Sequence, residues 1–124
     1  MKKEISTPDA DSVKGILSQA IDTGSLVFVS GQIPINTNGD MVGETVEEKL
    51  TQIMKNISAI LSAGGLDLNS IVKATIYVTD LGQMPELNKF YPSYFSAPFP
   101  AREAVCVAAL PLGATIEISV IASK

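Results

Sequence analysis

Thr45-Val46-Glu47-Glu48-Lys49-Leu50-Thr51-Gln52-Ile53-Met54-Lys55-Asn56-Ile57-Ser58-Ala59-Ile60-Leu61-Ser62-Ala63-Gly64-Gly65 is the stretch whose reading decides the fold. Val46, Leu50, Ile53, Ile57, Ile60 and Leu61 recur at helical spacing and make one apolar stripe. Thr45 and Glu48 fit a capping box, a hydroxyl and a carboxylate that satisfy each other's backbone amides. Gly64-Gly65 supplies the left-handed stop. A helix with one apolar stripe needs a second layer to bury it.

The second layer is read on either side. Upstream, Leu26-Val27-Phe28-Val29 is a strong strand that ends in Ser30-Gly31-Gln32, and Gly15 to Ile21 reads as an edge strand. Residues 1–14 are polar and read as a loose arm. Downstream, Ile71 to Thr79 is rich in β-branched residues and reads as a strand. Leu87, Phe90, Tyr91 and Tyr94 share one helical face, predicting a second helix from Met84 to Phe95. Pro98 and Pro100 break the helical path. Glu103–Ala109 and Thr115–Ala122 then read as two strands.

The order β-β-α-β-α-β-β predicts an α+β domain, a sheet with two helices on one face, spanning residues 1–124 as a single unit. Every residue of Leu26–Val29 is apolar, and Thr115–Ala122 carries apolar residues on both parities. The face without helices is therefore expected to meet another subunit, because monomers rarely expose large contiguous apolar patches. A few scattered apolar side chains on a monomer surface are the alternative.

Composition narrows the chemistry. A net charge of −4 disfavours nucleic-acid binding, which draws on a basic face. The absence of histidine removes the usual neutral-pH base and the commonest zinc ligand. One cysteine fits a reducing cytoplasm. No apolar run approaches the ~20 residues of a membrane span, and no apolar segment follows the two lysines of Met1–Ala10, so no secretion signal is expected.

Two charged residues stand out in the apolar C-terminal third. Arg102 shares strand parity with the small residues Ala104, Cys106 and Ala108, which leaves room beside a guanidinium able to grip a carboxylate with two parallel hydrogen bonds. It is expected on the face that meets another subunit, where it serves equally as an ion-pair partner of Glu103, Glu117 or a neighbouring subunit's acid. Glu117 lies off the parity of Ile116, Ile118 and Val120, toward the face expected to be shared, where it directs water, shuttles a proton, forms a plain ion pair or stands exposed on a half-solvated strand. Ser30-Gly31 offers an anion-binding amide and hydroxyl, or an ordinary turn. Asn88 reads as a cleft residue or a surface amide, and Cys106 as a small buried residue rather than a nucleophile.

These residues together resemble the RidA/YjgF/UK114 family of reactive-intermediate deaminases. The marks are Val29-Ser30-Gly31-Gln32-Ile33-Pro34, Ala63-Gly64-Gly65-Leu66, Ile71-Val72-Lys73-Ala74-Thr75, Asn88 with Tyr91, Phe99-Pro100-Ala101-Arg102, and Leu110-Pro111 with Ile116-Glu117-Ile118. The resemblance implies a chorismate-mutase-like fold and a homotrimer with clefts between subunits. It implies hydrolysis of imines such as 2-iminobutanoate and 2-iminopropanoate to 2-keto acids and ammonia, with no metal or organic cofactor. It assigns Arg102 to the substrate carboxylate and Glu117 to the attacking water. It assigns the Ala104 carbonyl to the imine nitrogen and the Gly31 amide to the substrate, with Ser30 and Asn88 lining the cleft. Family members often read Gly-Pro-Tyr-Ser-Gln-Ala where this chain has Gly15-Ile16-Leu17-Ser18-Gln19-Ala20, so Leu17 stands where a tyrosine hydroxyl is expected. That departure keeps open non-catalytic binding of a small carboxylate, a regulatory role. RNA cleavage, attributed to some relatives, fits the acidic composition worst.

One spatial expectation follows from the last two strands. If they form a hairpin centred on Leu112, Arg102 pairs near Ala122 and lies roughly 16–17 Å along the strands from Glu117. No single small ligand bridges that gap. Bridging it requires a different register, strands that are not neighbours in this way, or facing subunits that supply the two groups.

Overall fold

A computed structural model describes residues 2–124. The decisive stretch forms α1 (Val46–Ala63), capped as its sequence predicts. Thr45 Oγ1 accepts from the Glu48 amide at 3.1 Å, and Glu48 Oε1 accepts from the Thr45 amide at 3.1 Å. At the other end the Gly64 amide donates back to the Leu61 carbonyl at 2.9 Å. The apolar stripe is wholly buried.

Six strands make one sheet: β1 (Lys3–Ile5), β2 (Ala20–Asp22), β3 (Leu26–Gln32), β4 (Ile71–Val78), β5 (Ala101–Cys106) and β6 (Ile116–Ser123). They lie side by side in the order β1-β2-β3-β6-β4-β5. The second helix, α2 (Met84–Phe90), passes into a 3-10 turn at Tyr91–Tyr94, where Pro92 is in the first positions. The Ala97–Pro98 peptide that follows is cis. Both helices cover one face, so the domain is a two-layer α+β fold. Val27, Val29, Ala74, Ile76, Val78, Ile116, Ile118 and Val120 from the sheet meet the α1 stripe and Leu87 in one core.

Three expectations need correction. The polar N-terminal arm contains a strand: Lys3–Ile5 pairs antiparallel with Ala20–Asp22, and its one buried side chain is Ile5. Of the stretch from Gly15 to Ile21, only Ala20 and Ile21 enter a strand, and that strand lies inside the sheet rather than at its edge. The last two strands are not a hairpin. β4 lies between them, parallel to β5 and antiparallel to β6. The crossover through α2 makes the parallel pairing possible, since a parallel neighbour cannot be reached through a tight turn.

The helix-free face is mixed rather than uniformly apolar. Phe28 and Ile121 face each other across β3 and β6, while Thr75 pairs with Ser119 and Lys73 forms an ion pair with Glu103 at 2.9 Å. Phe28 is 44% exposed and Val105 39%.

Candidate active site

The site begins at a bulge in β3. Val29 pairs with Val120 and Gln32 with Ile118, so β3 carries one residue more than β6 in this interval. The extra length falls on Ser30-Gly31, and bulges of this kind re-aim side chains at sheet rims. Here the bulge brings Gly31 against Glu117. A β-carbon built on Gly31 would lie 2.8 Å from Glu117 Cδ, closer than nonbonded carbons approach. The missing side chain is what lets the Glu117 carboxyl lie over the strand.

Glu117 is half-buried on the helix-free side, opposite Tyr77 of β4. Burial pushes its carboxyl above the ordinary 4.5. It forms one wall of a cavity of ≈ 550 Å³ together with Leu17, Ser30 and Gly31. The structure therefore brings together four of the residues singled out from the sequence. Ser30 has both its donors engaged: its amide donates to the Gln19 carbonyl at 2.9 Å and its hydroxyl to the Ser18 carbonyl at 2.7 Å. Its main work is to hold the Leu17-Ser18-Gln19 segment against β3.

Arg102, Asn88 and Ala104 assemble elsewhere. Arg102 pairs with Ala74 and Ala104 with Ile76, on the parity of the buried core residues of β4. Arg102 accordingly rises on the helix side, where Nη1 donates to Asn88 Oδ1 at 2.7 Å. Its guanidinium lies 5.0 Å from the Tyr91 ring centre, in cation–π range. Among the described residues it has no acidic partner, because Glu103 is paired with Lys73 and Glu117 lies on the opposite face. The guanidinium is thus oriented by an amide and a ring while its remaining donors are unclaimed by any carboxylate. Arg102 was expected on the subunit-facing side with Glu117; β4's register puts it on the other. Along β4 the two are three residues apart and two strands across, an α-carbon separation of about 14 Å.

Cys106 is exposed on edge strand β5, not buried. Among the described residues no three His, Cys, Asp or Glu side chains converge to hold a metal, and no helix is long and apolar enough to cross a membrane.

Two positioning residues carried no clear signal in the sequence. Gln19 is buried, and its side-chain amide donates to the carbonyls of Thr7, Ala10 and Asp11 while Oε1 accepts from the Thr7 amide at 2.7 Å. It pins the N-terminal loop beside the cavity. Asn56, on the buried face of α1, donates to the Ile35 carbonyl at 2.9 Å and fixes the wall after β3. A polar amide inside an otherwise apolar stripe was the available clue.

Known proteins share the sequence pattern and the fold of this chain. The family model described as Endoribonuclease L-PSP matches residues 7–124. The chloroplastic Reactive Intermediate Deaminase A of Arabidopsis thaliana is 46% identical over 125 residues, covering 99% of this chain and 67% of that protein. The 2-iminobutanoate/2-iminopropanoate deaminase of Salmonella typhimurium is 41% identical over 127 residues, covering 100% and 99%. A crystal structure of a conserved Rid family protein of unknown function, YyfA from Yersinia pestis, superposes with a TM-score of 0.95 at 43% identity, covering 100% of each chain. The chain belongs to the YjgF/RidA family.

Proposed function

We propose that this chain is a cofactor-independent imine deaminase whose active site forms between copies. The observation that carries the reading is the split itself: an oriented, acid-free guanidinium at Arg102 and a half-buried carboxyl at Glu117, on opposite faces of one sheet. One small ligand reaches both only if another copy supplies the second group. Three copies, the number the family resemblance implies, would give three such clefts.

In the cleft, Arg102 takes the carboxylate of a 2-imino acid through its planar fork. The Ala104 carbonyl accepts from the imine N–H, and the Gly31 amide and Asn88 complete the cradle. Glu117 accepts a proton from water as the oxygen bonds to C2. It passes that proton to the nitrogen, giving a carbinolamine; the C2 hydroxyl then yields its own proton through Glu117 to the nitrogen as the C2–N bond breaks, so ammonia leaves and a 2-keto acid remains. A carboxyl raised by burial suits a group that must both take and give a proton. Imines of this kind hydrolyse readily, so orienting substrate and water is most of the task.

The test is a coupled assay in which a threonine or serine dehydratase generates the imine and its decay is followed with and without this protein. Acceleration at micromolar protein, lost in Arg102→Ala with oligomeric state retained, is expected. Absence of any acceleration would sink the reading. A second reading, binding of a 2-keto acid without turnover, is favoured by Leu17, which brings no hydroxyl to the cavity. Saturable 2-oxobutanoate binding without imine turnover would support it. RNA cleavage draws nothing from a chain of net charge −4 without histidine.

A further inference from the structure

The cavity beside Glu117 is far more apolar than a three- or four-carbon acid requires. Val13, Leu17, Ile33, Ile35, Pro111 and Leu112 make its walls. They come from three separate segments. Val13 and Leu17 flank a turn in which the Leu17 amide donates to the Val13 carbonyl at 3.4 Å. Ile33 and Ile35 follow β3 and are tied to α1 by Asn56. Pro111 and Leu112 belong to the connection between β5 and β6. Leu112 has φ 56°, the one positive φ outside glycine among the described residues. A branched side chain rarely adopts that backbone, yet it holds a 71% exposed leucine at the cavity.

The polar lining offers few free donors. The Gln19 amide is spent on three carbonyls and the Gln32 amide on the Ser30 carbonyl at 3.0 Å. Asp11 and Ser12 add a carboxylate and a hydroxyl at the N-terminal loop, Gly31 and Glu117 form the reacting end at the β3 bulge, and apolar walls lead away from it.

We propose that these walls receive the substrate side chain, and that the protein prefers 2-imino acids bearing branched or long apolar side chains over the three- and four-carbon ones. This rests on the deaminase reading above and names its substrate class. The reaction is unchanged: the water oxygen bonds to C2, the nitrogen takes both water protons in turn, the C2–N bond breaks as ammonia leaves, and nothing is oxidised. Each methylene moved from water to an apolar wall favours binding about fourfold. The leucine-derived imine has three more carbons than the alanine-derived one, so a preference of about tenfold or more in kcat/KM is expected even with partial burial. Leu17 and Leu112 are the specificity residues.

The experiment generates imines from leucine, methionine and alanine with amino-acid oxidases, oxygen and catalase, and measures how far the protein lowers their trapping by semicarbazide. The expected result is a leucine-to-alanine ratio of about ten or more, reduced at least about threefold by Leu17→Ala and by Leu112→Gly, as their lost methylenes imply. Glycine suits the backbone at 112, so the second variant keeps the fold if the first does not. A ratio near one in the parent protein, or one unmoved by the variants, overturns the inference and leaves the deaminase reading standing. Should no imine be accelerated, that reading falls, and calorimetric affinities decide the pocket's preference. Tighter binding of 4-methyl-2-oxopentanoate than of pyruvate sustains it, and equal affinities overturn it.

Discussion

The Glu117 carboxyl occupies the space where Gly31 would otherwise carry a side chain. The bulge in β3 and the absence of a β-carbon therefore act on one catalytic candidate together. Gly31→Ala keeps an allowed backbone but forces the carboxyl aside. The expected result is a fall in kcat of about tenfold or more with KM little changed, the signature of a misplaced proton-transfer group. Steady-state kinetics on the preferred imine check it, and an unchanged kcat would show that Glu117's position is immaterial.

Glu117 also ties activity to stability. Its folded carboxyl is raised by burial above the ordinary 4.5. Below that value folded and unfolded chains are both protonated and nothing is lost. As pH rises from about 4.5 through the folded value, the unfolded chain ionises more readily and stability declines. Glu117→Gln stays neutral, so its melting temperature should match the parent's near pH 4 and exceed it at pH 7, while activity is lost. Thermal melts across that range are the measurement.

Asn88 and Tyr91 orient Arg102 from two sides. Asn88→Ala removes a hydrogen bond to a charged group, worth roughly 1.5–3 kcal/mol where fully formed, and solvent exposure reduces that here. KM should rise about threefold to tenfold, with kcat less affected. Arg102→Lys keeps the charge but loses the fork, so it should behave closer to Arg102→Ala than to the parent. The Tyr91 hydroxyl is buried with no hydrogen-bond partner among the described residues. Tyr91→Phe should therefore be neutral or stabilising and retain activity, since the ring that carries Arg102 remains.

The split of the site between faces predicts complementation. Arg102→Ala and Glu117→Gln proteins, each inactive alone, should regain activity when unfolded together and refolded. In rings mixed at random from equal amounts, about one quarter of the clefts pair an intact Arg102 with an intact Glu117. Recovery of no activity would place both groups in a site within one chain.

The cap of α1 gives a control far from this chemistry. Thr45→Ala should cost about 1 kcal/mol, lowering the melting temperature by roughly 3–5 °C for a domain of this size. Turnover by the folded protein should not change.

What was legible followed the range of the interactions. The α1 stripe and its cap are local, and both could be read directly. β1 was missed because three residues with one buried side chain show no periodicity, and backbone pairing with β2 leaves no mark in composition. The parity of Arg102 with Ala104 and Cys106 was also visible, but which side of the sheet that parity faces depends on the register with β4, a partner about 28 residues away. Cys106 looked like a core residue from its apolar neighbours and is exposed because β5 is an edge. Gln19 and Asn56 act through backbone carbonyls distant in sequence, so their side chains alone announced little.

The intervening position of β4 has a consequence for timing. Each finished protomer holds a guanidinium and a carboxyl that its own sheet keeps apart. Under the shared-cleft reading, a newly made chain is chemically silent however well it folds. Activity appears only when copies meet, and dilution below the association threshold extinguishes it more steeply than in simple proportion to protein.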